Sequence, residues 1–213
     1  MVDWDVYLVT GESLSAGRTT REVVEAAIAG GVGVVQLREK DRSARERYEM
    51  GRQIRELTRE AGVTFVVNDR VDIAQALDAD GVHLGDDDLP VPVARELLGP
   101  EAVVGRSVST VAEAEAAVTA GADYLGVGTV YQTDSKADIP EEDHGVGPER
   151  VAAITDAVDV PVVGIGGITA ENAAEVVRAG ADGVAVITAI TRADDPEAAT
   201  AALREAVRRG REA

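Results

Sequence analysis

Three observations predict an α/β chain folded as a closed barrel of eight parallel strands, each followed by a helix. Short apolar runs of strand length alternate eight times with segments of helical spacing rich in Ala, Glu and Arg. Runs such as VGVVQL and VPVVGI are apolar on both faces, as parallel strands covered by helices must be. A weak internal repeat sets Ala-Gly-Ala-Asp before two of the strands, at 120–123 and 179–182. An open doubly wound sheet is the competing arrangement. The count of eight favours the barrel, and no GxGxxG follows the first strand as a dinucleotide site would require. The expectation is therefore a single (β/α)8 TIM-barrel domain over residues 1–213.

The elements follow in order. Val6–Thr10 is the first strand, and Arg21–Ala29 the first helix, stopped at Gly30-Gly31. Val34–Arg38 leads to the long helix Ala44–Ala61, stopped at Gly62. Thr64–Asn68 precedes the short helix Asp72–Leu77, for which Asp72 is the expected N-cap. Gly81–Leu84 and Val91–Leu98 form the fourth unit, and Val103–Ser107 and Val111–Ala120 the fifth. Tyr124–Gly128 runs into a long polar, acidic loop, Thr129–Gly147, before the helix Pro148–Val158; loops of that length in compact domains are usually functional. Val162–Ile165 with Ala170–Ala179, then Gly183–Ile187 with Pro196–Arg209, complete the set. Four of the helices end in glycine, which takes the left-handed conformation that turns the chain toward the next strand.

Composition narrows the function classes. No run approaches the roughly 18 apolar residues of a membrane helix, and MVDWDVYLVT lacks the basic and apolar regions of a signal peptide, so a cytoplasmic protein without a membrane partner is expected. The chain has no cysteine and only two histidines, His83 and His144, which excludes disulfides and thiolate metal sites and disfavours a multi-histidine zinc site. A net charge of −18 disfavours nucleic acid as a partner. Of 21 basic residues, 19 are Arg and two are Lys, Lys40 and Lys136. A dispersed acidic surface nearly free of Lys suggests a salt-loving source, where molar salt screens the self-repulsion.

In a barrel the chemistry sits at the C-terminal ends of the strands. The polar residues collect there: Gln36-Leu37-Arg38-Glu39-Lys40, Asn68-Asp69, His83 with Asp86-Asp87-Asp88, Ser107, Thr133 to Lys136, Gly166-Gly167 and Ile187-Thr188. Three chemical sets stand out. Arg38, Lys40 and Lys136 are cationic, and a chain with only two lysines puts both at strand ends. Either lysine alone is equally well a solvated charge, one of them beside Glu39; together they point to anion binding, with Arg as a fork and Lys as a movable point charge. The acidic set is Asp69 with the Asp86–Asp88 run, suited to Mg²⁺, which takes one or two carboxylates plus substrate phosphates. Chemistry alone does not choose among Asp86, Asp87 and Asp88. The third set, Gly166-Gly167 and Ile187-Thr188, lies where barrels often bind phosphate through backbone N–H groups. Two anion-binding sets with a metal between them suggest two phosphorylated substrates.

Five segments carry a resemblance. QLREK at 36–40, VND at 67–69, DGVHLGDDD at 80–88, GADYLGVGTVYQTDSK at 121–136 and GIGGITAENAAEVVRAGADGVAVITAI at 164–190 together resemble the thiamine phosphate synthase family, in order and over nearly the whole chain. The resemblance implies that Gln36, Arg38, Lys40, Asn68 and Lys136 bind a pyrimidine diphosphate, that Asp69 and Asp88 hold Mg²⁺, and that Ser107 contacts the pyrimidine. It implies further that Thr133, Ser135, Gly167, Ile187 and Thr188 bind a thiazole phosphate, and that Arg38, Lys40, Lys136 and Ser107 carry a dissociative alkyl transfer. Both substrates are small phosphorylated heterocycles, and a homo-oligomer is compatible with the sequence. His83 is then a structural or substrate-pocket residue and neither acid nor base, and His144 is a solvated loop residue. The chain departs from the family pattern at Asp86, usually Gln, at Gln132, commonly Pro, and at Arg106, usually small or apolar. Arg106 either adds a phosphate contact or points outward by strand alternation. Two other readings compete: a thiazole tautomerase on the same barrel, and a non-catalytic phosphate-ligand sensor. A tautomerase needs a proton-transfer group, and no histidine follows Ser107 in Ser107-Val108-Ser109.

Overall fold

A computed structural model of the chain describes residues 1–133 and 145–212. Eight strands close into one parallel barrel in sequence order: β1 (Val6–Val9), β2 (Val34–Leu37), β3 (Thr64–Asn68), β4 (Gly81–Leu84), β5 (Val103–Val108), β6 (Tyr124–Gly128), β7 (Val162–Ile165) and β8 (Gly183–Val186). β1 pairs with both β2 and β8, which seals the ring and leaves no exposed sheet edge. The helices are α1 (Thr20–Ala29), α2 (Ala44–Ala61), α3 (Val71–Ala76), α4 (Val91–Leu98), α5 (Val111–Thr119), α6 (Gly147–Thr155), α7 (Ala173–Arg178), α8 (Thr188–Thr191) and α9 (Pro196–Arg211). None of the described helices is long and apolar enough to cross a membrane.

Strand alternation splits the core into two layers. Val6, Leu8, Val35, Leu37, Phe65, Val67, Val104 and Leu125 face the helices. Tyr7, Val9, Val34, Val66, Tyr124, Val163, Ala185 and Ile187 face the barrel axis. Each fully buried Val or Leu contributes about 1.5–3 kcal/mol. The outer layer is continuous round the barrel, which is why both faces of every strand read as apolar.

The repeat seen in the sequence has a physical basis at the N-terminal end of the barrel. Gly31, Gly62, Gly121 and Gly180, the helix stops, all have left-handed φ, between +68° and +103°. Asp80, Asp123 and Asp182 then stand just before β4, β6 and β8. Each donates its own N–H to the carbonyl of a residue on the preceding strand (2.8–2.9 Å) and accepts that residue's N–H at its carboxylate: Phe65 at 2.8 Å, Val104 at 2.7 Å and Val162 at 2.8 Å. Arginine braces two of these carboxylates, Arg55 as a fork on Asp80 (2.8 and 2.9 Å) and Arg95 on Asp123 (2.5 Å).

The structure differs from the sequence reading at the helix starts. α1 begins at Thr20, because Thr19 and Glu22 form a reciprocal capping box. Asp72 is not an N-cap: Arg70 holds that position, and Asp72 sits inside the first turn of α3, paired with Arg70 at 2.5 Å. There an acidic side chain meets both a guanidinium and the positive end of the helix. α7 is shorter than expected, starting at Ala173, because Thr169 and Asn172 form a turn in which Asn172 Oδ1 accepts the Thr169 N–H at 2.8 Å. Two short pieces were not expected, a 3₁₀ turn at Glu12–Leu14 and α8 directly after β8.

Candidate active site

The inward-facing strand positions become polar toward the C-terminal mouth, and a cavity of about 330 Å³ opens there. Gln36, Arg38, Lys40, Asn68, Asp69, Asp88 and Ser107 all line it. These seven residues come from four neighbouring strands and the segments that follow them. A second cavity of about 280 Å³ lies beside the first and is lined by Thr133, Gly166 to Thr169, and Ile187 to Ala189. It gathers Thr133, Gly167, Ile187 and Thr188. Ile165 and Ala185 border both cavities, so the two adjoin across the ends of β7 and β8. Lys136, Ser135 and His144 lie outside the described residues.

The local geometry explains how each side chain reaches the mouth. Arg38 N–H donates to Thr10 Oγ1 at 3.0 Å, which ties the end of β2 to the end of β1. Glu39 is buried. Its carboxylate accepts from Thr20 Oγ1 (2.8 Å) and Glu12 N–H (3.0 Å), so it anchors the first loop while Arg38 and Lys40 reach the cavity. Asp69 takes a left-handed φ of +63°, rare outside glycine and costly unless the surroundings hold it. Its N–H donates to His83 O at 2.8 Å, and the next N–H, of Arg70, turns back onto Asn68 O at 2.7 Å. That sharp turn leaves the Asp69 carboxylate beside Lys40 Nζ (3.9 Å) and next to the carboxylate of Asp88.

The three acidic neighbours part company. Asp86 is exposed and pairs with Arg106 at 2.5 Å, and Asp87 is exposed at the cavity edge. Asp88 folds inward: its Oδ2 accepts the Gly85 N–H at 2.6 Å, and its carboxylate meets that of Asp69. Arg106 points away from the mouth, as alternation allows. It donates to Leu84 O (3.3 Å) and Ser107 O (3.0 Å) on the outer side of β4 and β5, and it does not line the cavity.

Burial pushes the Asp69 carboxyl up to about 6, reinforced by the hydrogen bond and charge of Asp88 and opposed by Lys40 and Arg38. Two carboxylates held face to face in a half-buried cleft make a hard oxygen donor set. Mg²⁺ suits such a pair, since it commonly keeps waters and takes its remaining ligands from substrate phosphate. Among the described residues no cluster of three or more His, Cys, Asp or Glu gathers, so the pair alone carries that fit.

Sequence reasoning missed the floor of the cavity. Tyr7 and Tyr124 reach across the barrel from opposite walls, and their hydroxyls meet at 2.8 Å. Gln36 Nε2 donates to Tyr7 (2.7 Å), while His83 joins Tyr124 through Nδ1 (2.9 Å) and Ser107 Oγ through Nε2 (2.9 Å). Burial raises both phenols well above their ordinary range, so they stay neutral. A Cβ on Gly105 would fall 2.1 Å from the Tyr124 ring, so only glycine lets that ring lie across β5. Trp4 packs beneath, its ring centroid 4.5 Å from that of Tyr124. A signal existed: two of the four tyrosines sit at inward positions of strands, where a hydroxyl must find a partner.

Comparison with known proteins adds independent findings. The family model described as thiamine monophosphate synthase matches residues 6–190. The chain is 72% identical to the thiamine-phosphate synthase of Haloarcula marismortui, over 99% of this chain and 100% of that one. It is 65% identical to that of Natronomonas pharaonis, over 96% and 95%. The solved structure of a thiamine phosphate pyrophosphorylase from Pyrococcus furiosus superposes with a TM-score of 0.88 at 41% identity, covering 98% of this chain and 97% of that one.

Proposed function

Because the chain belongs to the thiamine monophosphate synthase family, we propose that it is a cytoplasmic transferase that makes thiamine phosphate. Its substrates would be 4-amino-2-methyl-5-(diphosphooxymethyl)pyrimidine and 4-methyl-5-(2-phosphoethyl)thiazole, or the carboxylated thiazole, with diphosphate as the second product and, from the carboxylated thiazole, CO₂ as a third. The observation that carries this reading is the meeting of Arg38, Lys40, Asp69 and Asp88 at one cavity that adjoins a second, glycine-lined one. One cavity suits a diphosphate and its ring, the other a monophosphate.

In this reading the bond from the pyrimidine methylene carbon to the diphosphate oxygen breaks first, and the electron pair leaves with diphosphate. The ring amino group feeds electrons to the methylene cation. The thiazole nitrogen then uses its lone pair to form the new C–N bond. That nitrogen carries no proton, so no general base is needed. Arg38, Lys40 and, by family resemblance, Lys136 stabilise the charge that grows on the leaving group; positioned cations in a half-buried site do this without reorganising. Asp69 and Asp88 would hold Mg²⁺, which when bound adds Lewis-acid neutralisation of the diphosphate. Gln36, Asn68 and Ser107 orient the pyrimidine. Thr133, Ser135, Gly167, Ile187 and Thr188 seat the thiazole phosphate.

The test is a coupling assay with both heterocycles, Mg²⁺ and KCl up to molar levels. Thiamine phosphate and diphosphate should appear in equal amounts. Binding of either ligand without diphosphate release would leave the sensor reading standing instead. Isomerisation of a thiazole without coupling would favour the tautomerase.

A further inference from the structure

The five side chains on the cavity floor form one unbroken line of hydrogen bonds: Gln36, Tyr7, Tyr124, His83, Ser107. Their donors and acceptors can be counted. A neutral phenol has one hydrogen to give, and a neutral imidazole has one N–H and one bare nitrogen. Gln36 gives a hydrogen to Tyr7. Tyr7, buried at 2% exposure, satisfies its own hydrogen by giving it to Tyr124. Tyr124, at 1% exposure, must then give its hydrogen to His83 Nδ1. With Nδ1 accepting, the imidazole hydrogen sits on Nε2 and is given to Ser107 Oγ. Ser107 has accepted, so its own hydrogen is left for whatever fills the cavity. If the direction reversed beyond Gln36, Tyr7 would accept twice and strand its hydroxyl hydrogen in the barrel interior, which is costly.

We infer that Tyr7 and Tyr124 are positioning residues that fix the hydrogen-bonding polarity of Ser107: acting through His83, they make Ser107 a donor to the substrate. Gln36 on β2 sets the direction, and Ser107 on β5 reads it out. The inference rests on the reading above that a heterocycle occupies this cavity. Its consequence is a specificity rule. A ring that turns a bare nitrogen toward Ser107, as an aminopyrimidine can, is accepted. An oxo ring, whose corresponding nitrogen carries hydrogen, meets a second donor and is rejected.

The chain has only two histidines, so His144→Gln leaves a single imidazole for nitrogen-15 NMR. In that background His83 should appear as one tautomer, protonated at Nε2. Gln36→Glu, at a pH where the new carboxylate is ionised, puts a pure acceptor at the head of the line. It should turn every bond round and move the proton to Nδ1. Tyr124→Phe should give a mixture of tautomers. It should also cut the preference for the 4-amino pyrimidine diphosphate over its 4-oxo analogue by about tenfold or more, the scale expected when a site built around one hydrogen bond loses its polarity. Inorganic diphosphate should bind that variant as it binds the parent. A parent protein with mixed tautomers or with Nδ1–H, or a Gln36→Glu variant with an unmoved proton, overturns the inference. These spectra need no turnover. A failed coupling assay with the expected spectra removes the proposed reaction and leaves the ordered line intact; coupling with the wrong tautomer does the opposite.

Discussion

The two ends of the barrel use aspartate in opposite ways. At the N-terminal end, Asp80, Asp123 and Asp182 each accept a backbone N–H from the neighbouring strand, and two of them also meet an arginine. Each of these carboxylates has its partner in place. At the C-terminal mouth, Asp69 and Asp88 face each other, with Lys40 no nearer than 3.9 Å to Asp69 and the Asp69 carboxyl raised to about 6. The same residue type closes the sheet at one end and leaves an unresolved repulsion at the other. The aspartates at the N-terminal end serve the fold, while the pair at the mouth, with Lys40 at 3.9 Å, is the one proposed above to take up a cation.

The contrast can be broken from the mouth first. Asp69→Asn, which tolerates the left-handed φ of that position, should lower turnover by about 10²–10³-fold, the scale of losing a principal electrostatic stabiliser, and weaken the Mg²⁺ dependence. Its melting temperature should stay level or rise, since one of two repelling carboxylates is gone. A large loss of stability would show that Asp69 belongs with the structural aspartates. Asp123→Ala should behave in reverse. It leaves the Val104 N–H without its carboxylate partner, at a cost of about 2 kcal/mol in chemical denaturation, while KM for both substrates holds. A mouth defect in that variant would undo the division.

The pH dependence sharpens the comparison further. The Asp69 proton is held more tightly in the folded chain than in the unfolded one, so this group favours folding at low pH. Its contribution falls as pH rises from the ordinary carboxylate range through about 6. Divalent-ion binding runs the other way, because the ion must displace that proton. Affinity for Mg²⁺ should drop about tenfold per pH unit below 6, measured by calorimetry against Asp69→Asn to subtract the general effect of the −18 charge. The smallest expected effect concerns that charge. KM for the anionic substrates should fall severalfold as KCl rises toward about 1 M, where the Debye length is roughly 3 Å. Full activity without added salt would count against the saline reading of the composition.

Most of the fold was legible because its signals are local. Strand length, doubly apolar runs and glycine stops each span a few residues, and all eight strands fell where those signals placed them. The errors came at helix boundaries, where capping decides, and in two short pieces too brief to show a period. Thr19 with Glu22 moved one start, and Arg70 displaced Asp72 from the cap. The site was legible in part for the same reason: polar residues at strand ends mark the mouth of any such barrel. Arg106 illustrates the limit, since its two readings differed only by which way the strand faces there.

What the sequence determined by itself is the alternation, and with it the barrel, its outer apolar layer and the set of residues delivered to one rim. Family resemblance alone singled out Asp88. Tertiary structure decided which members of that set meet. Asp86, Asp87 and Asp88 are equivalent as letters, yet the Gly85 N–H holds Asp88 folded back on its own turn while Arg106 pairs with Asp86 at the exposed rim of the cavity. Tyr7 and Tyr124 are 117 residues apart and touch because the ring closes at a width that two phenols span. Local periodicity records which face a side chain takes; only closure of the sheet fixes what stands opposite it.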